Sequence, residues 1–212
     1  MAVDISLEQA ALDNLWMHNS GWIELAEHGG PRFMVKGNGI KVTDSNDVEW
    51  IDPNGGYASV NVGYGRTEIA DAMREQMLAL PFAPKGTITE ALALVSEKIA
   101  TVAPGSLDRC YPVSGGSEAT ETAIKIARAY HKRNGEQGRY KIISRRNSYH
   151  GATGGVQFAG GNADRSDYEP GYPGMLHVPQ PNSWNCELGG QSSSECAVLC
   201  AQAVEDLILL HG

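Results

Sequence analysis

One short string limits this chain more than any other: Ser114-Gly115-Gly116-Ser117, set between the apolar run Arg109 to Val113 and a helical pattern from Glu118 to about Arg133. A strand that turns through two glycines into a helix leaves about four backbone N–H groups without intrahelical acceptors, where the peptide dipoles gather about half a positive charge. Glycine lets a ligand approach that backbone closely, and a serine hydroxyl adds one donor. The result is a cradle for an anion such as phosphate. A plainer reading of the same residues has Ser117 capping the helix while Gly115 and Gly116 make the turn.

The texture around this string is that of a layered α/β chain. Upstream, residues 4 to 19 place Leu7, Ala11, Leu12, Leu15 and Trp16 at helical spacing, which predicts an amphipathic helix. Between Arg32 and Asp52, short alternating runs broken by Gly37-Asn38-Gly39 and Asp44-Ser45-Asn46-Asp47 predict a small antiparallel meander. The glycine-punctuated stretch Gly55 to Gly65 leads to a helix over about Glu68 to Leu80, and another is predicted from Thr89 to Val102. Strands are expected at Arg109–Val113, Tyr140–Ser144 and Met175–Val178, and a last helix at about Ser194–Leu210.

Composition narrows the functional classes. There are 17 Lys plus Arg against 25 Asp plus Glu, a formal charge of -8, and no cationic run, which argues against nucleic-acid binding by phosphate neutralisation. No window approaches the ~18 apolar residues of a membrane span, and the N-terminus lacks a cationic-then-apolar leader, so a cytoplasmic protein is expected. Cys110, Cys186, Cys196 and Cys200 include no C-x-x-C pair; neither a disulfide scaffold nor a metal site is indicated, and Cys196 and Cys200 read as small core residues. Gly63-Tyr64-Gly65 lacks the third glycine of a dinucleotide fingerprint, and no P-loop string occurs.

The run Pro112 to Arg128, with Ser114-Gly115-Gly116-Ser117-Glu118-Ala119 at its centre, resembles the cofactor-phosphate motif of the class III aminotransferases, fold-type I enzymes dependent on pyridoxal 5'-phosphate. Tyr149-His150-Gly151-Ala152-Thr153 resembles their aromatic-stacking motif, and Asn61-Val62-Gly63-Tyr64-Gly65-Arg66 their N-terminal substrate-side segment. The resemblance covers about the first half of a typical member. It implies a mostly parallel sheet with flanking helices, here an incomplete large domain over residues 76–212, after a small α+β segment over residues 1–75. It also implies that Gly116 and Ser117 donate to the cofactor phosphate, that Gly115 permits the approach, and that Tyr149 stacks on the pyridine ring, with His150 in a supporting or catalytic role. Tyr57 and Ala58 would border the substrate, Ala58 leaving a roomier pocket. Partners would be an amine or amino acid, an oxo acid and a second copy in a homodimer.

The family's covalent lysine and pyridinium-binding aspartate have no counterpart. None of Lys36, Lys41, Lys85, Lys98, Lys125, Lys132 and Lys141 lies in a segment resembling the lysine loop, so no catalytic residue is expected in this chain. An inactive remnant, or one piece of a split enzyme, is the alternative. A serine hydrolase is a further one: Gly115-Gly116-Ser117-Glu118-Ala119 is a degenerate nucleophile elbow, with Asp164, Asp167 or Asp206 and His177 or His211 downstream.

Overall fold

A computed structural model describes residues 5–17, 21–161 and 163–211. The backbone contacts gather into two units, Met1–Ala93 and Leu94–Gly212.

In the first unit, helices α1 (Ile5–Asn14) and α2 (Trp22–Glu27) precede the antiparallel meander β1 (Met34–Asn38), β2 (Lys41–Asp44) and β3 (Glu49–Ile51). The helix predicted over 4–19 stops at Asn14; its apolar stripe finds little to pack on, with Leu7 and Leu15 about half exposed, and residues 4, 18 and 19 lie outside the described residues. The meander turns on Asp44, whose buried carboxylate accepts from the amides of Asn46 and Val48 and from Trp50 Nε1. The Trp50 bond, then the two amides and Arg32, hold its carboxyl below the usual range against the opposing effect of burial. Tyr64 forms a bridge with Gly39 and lies against Gly37, where a Cβ would stand 2.7 Å from its ring. Gly63-Tyr64-Gly65 is thus a clasp on the β1–β2 hairpin. Helix α3 (Gly55–Ala58) is a single turn of left-handed sense, and α4 (Thr67–Ala79) closes the series.

The second unit takes in most of α5 (Glu90–Val102), followed by α6 (Gly116–Arg133), β4 (Ile142–Arg145), α7 (Gly154–Gln157), a 3-10 turn (Ala163–Tyr168), β5 (Met175–Val178) and α8 (Ser193–His211). Strands β4 and β5 pair in parallel, Ile142 opposite Met175 through Arg145 opposite Val178. Residues 109–113, predicted as a strand, join no ladder. A strand exists only through a ladder partner, and no described segment pairs with this one, whose Cys110 thiol instead donates to Ser96 O of α5 at 3.5 Å. Helix α6 carries Glu118 in its first turn and His131, Lys132 and Arg133 in its last, each sign matching the helix dipole. It ends where Gly135 takes φ 82°, its amide reaching Lys132 O and that of Glu136 reaching His131 O. The Arg128 guanidinium ties the helix down by donating to the carbonyls of Tyr140 (2.8 Å) and Pro173 (2.9 Å).

Val156, Phe158, Ala159, Val178, Cys196 and Cys200 form the core of this unit. Much apolar surface stays outside it. No helix among the described residues is long and apolar enough to cross a membrane.

Candidate functional site

The glycine turn and the Tyr149 loop, more than 30 residues apart, meet at the start of α6. Gly115, extended at φ -167°, is the N-cap, and no side chain caps the helix. Ser117 is therefore one residue inside the helix, which replaces the reading of Ser117 as the cap. The first intrahelical bond runs from Ala119 to Gly115 O at 3.0 Å, and among the described residues nothing accepts from the amides of Gly116, Ser117 and Glu118. A Cβ on Gly116 would meet no atom within 4 Å, while the Glu118 carboxylate comes within 3.3 Å of the Cβ position of Gly115. The positive end of an 18-residue helix is left with donors to spare.

The opposing loop is held by three contacts. Ser117 Oγ accepts the Ala152 amide at 3.1 Å, which leaves its own O–H to donate elsewhere. Glu121, one turn further along α6, accepts from Thr153 Oγ1 (2.5 Å) and from the Gly155 amide (3.1 Å) through the same oxygen. Gly151, at φ 137°, is pressed so close that a Cβ would stand 2.7 Å from Ser117 Oγ and 2.5 Å from Val156 Cγ2. Gly155 is equally tight, its Cβ position 2.7 Å from the Glu121 carboxylate. Glycine at 151 is thus required both by the left-handed backbone and by the close approach.

Tyr149 precedes this contact by two residues and is 71% exposed. The His150 ring is also exposed and makes no hydrogen bond among the described residues. Glu121 was not apparent from sequence as a site residue, since its partners lie more than 30 positions away; its place one helical turn after Ser117 was the available signal.

Among the described residues no hydrolase arrangement forms, since Ser117 Oγ meets the Ala152 amide and no histidine. His177 Nε2 donates to Gly160 O at 2.8 Å, and the Arg165 guanidinium lies against the same ring. Burial, together with Arg165, pushes its imidazolium pKa below the ordinary value. His211 lies at the far end of α8, Asp206 accepts from Gln202, and the Asp164 side chain lies outside the described residues. No cluster of metal-binding side chains occurs among the described residues. A cavity of about 350 Å³ lies along Arg128, His131, Ile142, Leu176 and Leu207 and is lined by neither the Ser114–Ser117 turn nor Tyr149.

In the first unit, Tyr57 and Ala58 belong to the left-handed turn, with φ of 55° and 64° after Gly55 and Gly56 at 54° and 59°. Asp52 braces it: its carboxylate accepts the amides of Asn54 (3.1 Å) and Gly56 (2.7 Å) and the Tyr64 hydroxyl (2.8 Å). The Tyr64 bond, seconded by the amides, holds the Asp52 carboxyl below its usual range, and the same bond raises the Tyr64 hydroxyl. Non-glycine residues in this region cost roughly 1–3 kcal/mol each, so the turn persists only because its surroundings dictate it. Its effect is to present Tyr57 at 90% exposure.

The family model for aminotransferase class-III matches residues 25–211. The chain belongs to that family. A probable aminotransferase of Mycobacterium tuberculosis is 37% identical over 184 residues, covering 84% of this chain and 39% of that protein. A putrescine–pyruvate aminotransferase of Pseudomonas aeruginosa is 34% identical over 186 residues, covering 86% and 41% respectively. Among solved structures, an (S)-enantioselective omega-transaminase from Thermomicrobium roseum superposes with a TM-score of 0.92 at 32% identity, over 98% of this chain and 47% of that one. A PMP-bound aminotransferase from Vibrio fluvialis gives 0.89 at 25% identity, over 97% and 46%. The fold is accordingly that of the fold-type I transaminases, and the chain spans less than half the length of these relatives.

Proposed function

We infer that this class III aminotransferase chain holds pyridoxal 5'-phosphate by its phosphate at the start of α6 and serves the transfer of an amino group from an amine or amino acid to an oxo acid. The observation that carries this is the set of unaccepted amides at Gly116, Ser117 and Glu118, next to the loop that carries exposed Tyr149. The phosphate group fits that donor set. When bound, the cofactor supplies an electron sink for charge developing on the substrate carbon.

Each residue then has a defined task. The amides of Gly116 and Ser117 and the Ser117 hydroxyl bind the phosphate, and Gly115 admits it. Tyr149 covers one face of the ring and fixes its plane, worth about 0.5–1.5 kcal/mol beyond area burial. His150 borders the same ring edge in a supporting role. Glu121 orients the loop that carries both. Tyr57 lines the substrate side, with the small Ala58 leaving room for bulky amines. The assembly is a homodimer in the cytoplasm.

We assign the cofactor bond to none of the seven lysines; in the second unit Lys141 reaches His211 O and Lys125 lines a cavity with Glu121, Gly155 and Tyr172. The reacting lysine therefore comes from polypeptide outside these residues, in the same or a separate chain, and residues 1–212 alone are inactive.

The test is calorimetric titration with pyridoxamine 5'-phosphate, which has no aldehyde to react with surface lysines, against pyridoxamine. Saturable binding at least tenfold tighter for the phosphorylated compound, about 1.4 kcal/mol or more, is expected. Equal affinity, or a phosphate preference unchanged in Gly116→Val, refutes the reading.

A further inference from the structure

A group of thiols between β5 and α8 takes no part in the proposed chemistry. Cys186 is half-buried in a turn closed by the Gly189 amide on its carbonyl (3.0 Å), while Cys196 and Cys200 lie on α8 with 1% and 7% exposure. All are free. Gly190 is the reason the turn can lie on the helix: a Cβ there would stand 3.2 Å from Cys186 Sγ, 2.8 Å from Cys196 N and 2.9 Å from Cys196 Cα. Cys186 Sγ and the Cys196 backbone therefore lie against the same glycine, facing one another across it.

The closeness of the two thiols sets them apart. It holds Cys186 below the ordinary thiol range, helped by the amides of residues 188–190. It pushes Cys196, which is also buried and has Cys200 beside it, up to about 11. Thiolate character and access decide which sulfur reacts, and both favour Cys186. Cys200 is occupied with Gln180 O at 3.7 Å, and it stands only one helical turn from Cys196.

We propose that Cys186 and Cys196 are a redox-sensitive dithiol that hydrogen peroxide converts into an intramolecular disulfide. The Cys186 sulfur attacks one peroxide oxygen; the O–O bond breaks, water leaves after protonation, and a sulfenic acid remains. The Cys196 sulfur then attacks the Cys186 sulfur, forming S–S and releasing the sulfenic oxygen as a second water. Two thiols are oxidised, and both peroxide oxygens are reduced to water. The bond would join the turn to α8 next to Glu187, which pairs with Arg146 at 2.8 Å, three residues before Tyr149.

The experiment treats the reduced, folded chain with hydrogen peroxide, counts remaining thiols with a maleimide and maps the cross-linked peptides. Free thiols should fall from four to two, reversibly with dithiothreitol, and the linked peptides should be those of Cys186 and Cys196. Gly190→Ala, which wedges the segments apart, should slow the loss roughly tenfold. A bond mapped to Cys196–Cys200 or between chains, four thiols surviving in a chain whose circular dichroism is native, or the same pairing and rate in urea would each overturn the proposal. The wild-type mapping decides the matter even if the variant does not fold.

Discussion

Replacing Gly151 by alanine tests the contact on which the site depends. The new Cβ would stand 2.5 Å from Val156 Cγ2, 2.7 Å from Ser117 Oγ and 3.0 Å from Ser117 Cα. Carbon contacts relax at about 3.5–4.0 Å, so the loop must retreat by roughly 1 Å from α6. Overpacking of that kind costs about 1–3 kcal/mol. A residue with a side chain at φ 137° adds a penalty of similar size, roughly 1–3 kcal/mol. Withdrawal of the loop also forfeits the Ala152–Ser117 bond, about 0.5–1.5 kcal/mol. Relaxation shares these terms, and a loss of about 2–5 kcal/mol is expected, a fall in Tm of roughly 5–15 °C for a chain of this size. The control is Gly116→Ala, which meets no atom within 4 Å and should leave Tm unchanged. Thermal unfolding followed by circular dichroism measures both. A Gly151→Ala chain within 1 °C of wild type, or an equal loss in the two variants, would refute the packing of the loop on Ser117.

Glu121→Ala removes the shared acceptor of Thr153 and Gly155 and should cost about 1–3 kcal/mol in urea unfolding, with faster amide exchange at Gly155; unchanged exchange would count against its anchoring role. His177 has a depressed folded-state pKa, so as pH falls below 6.5 the unfolded chain takes up a proton that the folded chain resists, and stability declines until the folded pKa is passed. Above that window the contribution is complete. His177→Gln should flatten the profile there, and an unaltered slope would contradict the burial argument. Asp52→Asn should bring one late-titrating tyrosine, Tyr64, back toward the ordinary range in an ultraviolet titration; identical phenolate curves would refute the Asp52–Tyr64 bond as the cause.

What the chain alone determined are features with local causes. Periodicity within one or two turns was enough to read α4, α5, α6 and α8, and alternation between turn residues was enough for the meander, because these patterns depend on neighbours a few positions apart. The glycine turn into α6 was legible for the same reason: spare amides belong to any helix start. Tertiary structure decided the rest. Whether residues 109–113 become a strand depends on a partner segment, and sequence spacing carries no information about one. The left-handed turn at Tyr57 and Ala58 depends on Asp52, whose carboxylate also takes the hydroxyl of Tyr64, 12 residues away. Gly115, not Ser117, became the cap because the Ser117 hydroxyl was claimed by Ala152, 35 residues on. Backbone geometry propagates over a few residues, whereas contacts between distant segments exist only once the chain has folded them together.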